Sequence, residues 1–92
     1  MEKIIINHQS YDGWRVALPH STLIFIAGQK GVLGCGFFNV ETANKINEPL
    51  AVVTGVKTFD DMLKKEVIAV SNAAMTLGIK VGMTGKEALE KL

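Results

Sequence analysis

The eight residues Gly31-Val-Leu-Gly-Cys-Gly-Phe-Phe38 constrain this chain more than any other stretch. An apolar run between turn residues reads as a strand, and strand alternation sorts its side chains onto two faces. Leu33, Cys35 and Phe37 then share one face, while Val32, Gly34, Gly36 and Phe38 share the other. The second face is bare over two pleats, and glycine inside a strand marks close approach of another backbone or of a ligand. Two occupants compete for it. One is the small-residue face Ala69, Ala73 and Thr76 of a following helix; the other is a ligand or a second subunit resting on Gly34 and Gly36.

Around this segment the first half of the chain reads as strands. Lys3–His8 carries three consecutive isoleucines, and Asp12-Gly13 is a two-residue turn signal. Trp14, Val16 and Leu18 alternate with Arg15 and Ala17, the period of a strand with one face inward. Pro19-His20-Ser21 reverses the chain, Thr22–Ala27 is apolar on both faces, and Gly28–Gly31 turns it into Val32–Phe38. Four strands on short turns make an antiparallel meander. Glu41–Ile46 allows one or two helical turns, and Leu50–Val56 is a fifth strand.

The period then changes. Phe59, Leu63, Val67, Val70, Ala74 and Leu77 form one helical stripe, with Thr58 as cap and Gly78 as stop. A break near Lys65–Glu66 would divide it into two helices. Thr84-Gly-Lys-Glu87 is a capping box opening a short helix to Leu92. Strands first and helices later predict an α+β fold in one domain, residues 1–92. Its sheet has four to five mainly antiparallel strands, and the C-terminal helices pack on one face. At 92 residues the chain buries about 64% of its extended surface, one core without a wide margin, so self-association is a natural supplement.

Charge and spacing exclude much chemistry. Residues 1–56 hold four basic and four acidic side chains, and residues 57–92 hold six and five, with no block of one sign. The basic stripe that supplies a nucleic-acid binder's affinity is missing, so no nucleic-acid partner is expected. The longest apolar stretch is Leu23–Ala27, too short to cross a membrane or, like Ile4–Ile6, to serve as a signal peptide. Cys35 is the sole cysteine and no Asn-x-Ser/Thr triplet occurs; the expected location is cytoplasmic. Gly85-Lys86 lacks the leading glycine and following hydroxyl of a phosphate loop, and a dinucleotide fingerprint started at Gly34 ends on Asn39. One cysteine and two separated histidines give no chelating pair, so neither a metal nor a cofactor is implied.

The remaining candidates are few. Cys35 as a nucleophile needs an open, electropositive setting with His20 or His8 as base, whereas alternation places it beside Leu33 and Phe37 as a buried thiol. Asp60 and Asp61 suit the positive end of a helix better than acid–base work, since adjacent helix residues do not face one another. Asn39 ends the glycine strand, and Lys57 and Thr58 sit where the fifth strand meets the helix. If the fourth and fifth strands finish at one edge, Asn39, Lys57, Thr58 and Asp60 converge on a ligand there, with Gly34 and Gly36 nearby.

Gly31-Val-Leu-Gly-Cys-Gly-Phe-Phe, Ala51-Val-Val-Thr-Gly-Val-Lys-Thr-Phe-Asp-Asp-Met-Leu and Leu77-Gly-Ile-Lys-Val-Gly-Met-Thr-Gly-Lys-Glu-Ala-Leu together resemble the YunC-like family of small bacterial and archaeal proteins. The likeness runs over nearly the whole chain from about residue 10, and Gly-Met-x-Gly-x-Glu-Ala-Leu is its most specific part. It implies a compact cytoplasmic α+β domain and no particular activity. Cys35-Gly36, Gly55, Thr58, Asp60, Gly82, Met83 and Gly85 match its motif by position. The preferred expectation is a homo-oligomeric binding or interaction module without catalysis, open to a small-molecule ligand. The alternatives are a small thiol enzyme using Cys35, or an anion- or nucleotide-binding protein with its site near Lys57–Asp61.

Overall fold

The computed structural model describes all 92 residues. The elements are β1 (Glu2–Ile6), β2 (Gln9–Ala17), β3 (Thr22–Ala27), β4 (Val32–Gly34), α1 (Val40–Ile46), β5 (Leu50–Val52), α2 (Phe59–Lys64), β6 (Ala69–Val70), α3 (Asn72–Thr76) and α4 (Gly85–Lys91). The strands form one sheet in the order β1-β2-β3-β4-β5-β6. Every neighbouring pair is antiparallel except β4 and β5, which run parallel with Gly34 opposite Val52. The fold is the α+β class that the sequence predicts, with six strands in place of four or five.

Paired residues share a face, so the register divides the sheet cleanly. Ile6, Tyr11, Ile24, Ile26, Leu33 and Ala51 point to one side and pack against Met62 of α2, Ala74 of α3, and Ala88 and Leu89 of α4. On the reverse side, Ala43 of α1 packs with Leu50 and Val52, flanked by Val32, Phe38 and Ala69. The C-terminal helices therefore cover one face, and α1 covers the β4–β6 half of the other. Trp14 and Phe25 lie on that other face, stacked with ring centroids 5.0 Å apart, and Phe38 meets Phe25 edge-on at 5.4 Å.

Four local expectations are corrected. The first reversal is Asn7-His8, not Asp12-Gly13: both residues have positive φ (50° and 69°), the backbone of a two-residue hairpin turn. Gly13 lies inside β2, where a Cβ would fall 2.6 Å from the Phe59 ring, so its small size serves packing rather than turning. The glycine strand stops at Gly34. The chain turns back there with Phe38 N–H donating to Cys35 C=O at 3.0 Å, and Phe37 is left 57% exposed instead of sharing a face with Cys35. Phe38 itself fills the bare patch, because a Cβ on Gly34 would sit 2.5 Å from its ring. The Ala69, Ala73 and Thr76 helix face does not exist, since Ala69 belongs to a strand. Leu50–Val56 is likewise a strand only as far as Val52.

The Phe59–Leu77 stripe is buried as expected but is not one helix. α2 ends at Lys65, whose backbone is extended (ψ 149°). Beyond it Val67 exchanges bonds with the Gly82–Met83 segment, and Ile68 N–H donates to Val52 C=O at 2.9 Å. Ser71 restarts the helix. Its buried hydroxyl donates to Glu48 C=O (2.8 Å) and accepts from Leu50 N–H (2.9 Å) and Ala74 N–H (3.3 Å). The final helix opens as predicted on Thr84, whose hydroxyl accepts from Glu87 N–H while the Glu87 carboxylate accepts from Thr84 N–H.

α4 meets α2 backbone to backbone, because Gly85 lies against the Met62 carbonyl with no room for a Cβ between them. Gly85→Ala is therefore expected to cost about 3 kcal/mol or more in denaturant unfolding, by forcing the two helices apart. Gly82→Ala meets no neighbouring atom and carries only the strain of φ +99°, so about 1 kcal/mol is expected there.

Candidate functional site

Parallel neighbours finish at the same edge of a sheet, so the segments leaving β4 and β5 lie side by side. From β4 the chain makes the tight turn Cys35–Phe38 and enters α1 through Asn39. From β5 it passes through Val53, whose N–H donates to Gly34 C=O at 3.0 Å, and then through Thr54, Gly55 and Val56 to Lys57. Gly55 adopts φ +70°, a left-handed bend that glycine accepts without strain. The Arg15 side chain reaches from β2 and donates through Nε to the Lys57 carbonyl at 2.6 Å, fixing this second loop. Between the turn and the loop lies a cleft of about 390 Å³, closed on its third side by His20, Ser21 and Thr22.

The cleft brings together five of the residues singled out in the sequence: Cys35, His20, Gly36, Gly55 and Lys57. The others serve elsewhere. Gly34 lies beneath Phe38. Asn39 caps α1, its Oδ1 accepting from Glu41 N–H (2.7 Å) and Thr42 N–H (3.2 Å). Thr58 caps α2 in a reciprocal box with Asp61. Asp60 pairs with Lys64 at 2.8 Å on the exposed side of that helix. His8 sits in the β1–β2 turn and does not line the cleft. The expected convergence of Asn39, Lys57, Thr58 and Asp60 thus resolves into one cleft-lining residue, Lys57, two helix caps and an exposed ion pair. Sequence reading missed Phe37, Thr54 and Val56 as cleft walls. The signal available was chain length, because the fifteen residues between β4 and β5 exceed a hairpin and suit a parallel crossover.

No carboxylate lines the cleft, and its formal charge comes from Lys57 with His20 alongside. Cys35 forms part of the wall but is only 3% exposed, packed in the main apolar cluster with Leu33 and Val53. A thiol so enclosed lacks the open, charge-stabilised setting of a nucleophile. Next to the cleft, Lys57 N–H donates to Asp61 at 3.1 Å and holds that carboxyl below its usual range, helped by Thr58. Glu87 is lowered in the same way by the Thr84 backbone and hydroxyl. No helix is long and apolar enough to cross a membrane.

Comparison with known proteins places these features in a wider group. The family model for a domain of unknown function, DUF1805, matches residues 34–92, a span that holds both cleft loops and begins after His20. The uncharacterized protein YunC of Bacillus subtilis (strain 168) is 36% identical over 93 residues, 97% of this chain and 92% of that one. A crystal structure of a protein of unknown function, TA1206 from Thermoplasma acidophilum, matches with a TM-score of 0.93 and 37% identity, covering 99% of this chain and 89% of that one.

Two outcomes follow from the caps and the thiol. Carboxyl groups held low in the folded state add stability that is complete above their ordinary values of 3.8 and 4.5 and lost as pH falls through and below them. The Asp61→Asn, Glu87→Gln double variant should therefore show a shallower fall in unfolding midpoint between neutral and acid pH than the parent chain. Cys35 should resist an alkylating reagent in the native state and react at the rate of a free thiol once denaturant opens the core. Rapid labelling of the folded protein would restore the thiol-enzyme reading.

Proposed function

This chain belongs to the DUF1805/YunC family, and from its half-covered sheet we propose that it is a homo-oligomeric interaction module, two copies meeting through the β1–β3 face that α1 leaves open. The observation that carries this reading is the composition of that open half. Trp14, Leu23, Phe25 and Ala27 are only half-buried there, beside Val16 at 47% and Ile5 at 73% exposure. Their register sets them in rows, Trp14 opposite Phe25 and Val16 opposite Leu23. These two rows form an apolar patch, set apart from Ile5 by the Lys3–Asp12 pair, and exposed apolar patches mark interaction sites.

A second copy suits it for two reasons. The charged strand residues of this half-face are Lys3 and Asp12, which stand opposite each other and pair at 2.5 Å, so like surfaces meet without net repulsion. The half-face lies on the broad side of a slab of 32 × 32 × 22 Å, away from the C-terminal helices, where a second copy can lie against it. Around a two-fold axis each Trp14 row would face its counterpart, giving a closed pair rather than a filament.

Size-exclusion chromatography with light scattering is expected to give twice the 10.0 kDa of one chain. Val16→Asp should yield a folded monomer, since a carboxylate buried in the contact costs about 2 kcal/mol or more. Val81→Asp, in the loop between α3 and α4, should leave the dimer intact. A parent chain that stays monomeric into the millimolar range, or a dimer indifferent to Val16→Asp, would defeat the reading.

A further inference from the structure

We infer that the cleft between the Cys35–Phe37 turn and the Thr54–Lys57 loop is a binding site for a small oxyanion, the phosphate or carboxylate group of a metabolite. The main-chain hydrogen bonds carry the argument. None of the six amides of Cys35, Gly36, Phe37, Thr54, Gly55 and Val56 donates to any acceptor in the protein. Cys35 and Val56 are themselves buried residues, where an unpaired N–H is uncommon and calls for an acceptor. These two runs of three consecutive donors bound one cleft. Successive backbone N–H groups make a recognised anion cradle.

The surroundings have the matching sign and position. Lys57 supplies a cation, the hydroxyls of Ser21 and Thr54 add polar contacts, and no acidic side chain lines the space. The cleft lies outside the carboxyl ends of β4 and β5, the place where open sheets with parallel strands receive ligands. Its volume of about 390 Å³ is that of a small-metabolite pocket. Arg15 steadies the loop through the Lys57 carbonyl, so the site is formed before a ligand arrives. The cleft opens at the strand ends rather than on the β1–β3 face, which makes this inference independent of self-association.

An amide-resolved NMR titration of the full chain tests it, with inorganic phosphate in one arm, malonate in another, and sodium chloride at matched ionic strength as baseline. Saturable shifts at the Cys35, Gly36, Gly55 and Val56 amides are expected in at least one of the two arms. The responding arm separates a phosphate ligand from a carboxylate one. Lys57→Ala, an exposed substitution whose own spectrum reports its fold, should weaken that binding about tenfold or more. Linear drift without saturation in both arms, shifts centred on other lysines, or an affinity unchanged in Lys57→Ala would each overturn the assignment.

Discussion

β5 runs parallel to β4, and a parallel neighbour cannot be reached through a two-residue turn. The chain must leave the sheet, cross over and return, and α1 is what the crossover contains. That one demand sets much else. It places a helix on the face opposite α2, α3 and α4, where it shelters Leu50 and Val52 while leaving β1–β3 uncovered. It also brings the exits of β4 and β5 to one edge, where the cleft forms. The open apolar half-face and the amide-lined cleft are therefore two results of the same pairing.

Close approach is the second theme, and glycines carry it. Gly34 admits the Phe38 ring, Gly13 admits Phe59, and Gly85 admits the Met62 carbonyl. In each case the group that fills the space comes from the same chain, so the absent side chain is a packing device. Gly36 differs in kind. It is exposed beside the cleft, with only the Thr54 methyl near the place of a Cβ, at 3.3 Å.

What was legible in the sequence was local. Thr58 and Thr84 announce their helices through side chains that bond within one turn, and Gly78 marks the end of α3 by its positive φ (+87°). The fold class followed from the change of period. The position of β6 did not, because the spacing of Phe59 through Leu77 reports which residues are buried and not the path between them. Val67 and Ala74 are fully buried in a broken chain as they would be in a continuous helix. Asp12-Gly13 outshone Asn7-His8 for a related reason: the need for a small residue at position 13 is set by Phe59, far along the chain. Of the site, Cys35, His20, Gly36 and Lys57 could be named singly, but the cleft they share depends on strand direction, which no short window of residues encodes.

The Ser71 hydroxyl illustrates how little chemistry can fix a junction. Its one proton goes to Glu48, and its two lone pairs take the amides of Leu50 and Ala74. The hydrogen-bonding capacity of the hydroxyl is filled, so no replacement side chain offers the same three links in so small a volume. Loss of the hydroxyl would break all three links, although Ser71 lines neither the open face nor the cleft. A single atom there serves as the keystone joining the crossover, the sheet and the third helix.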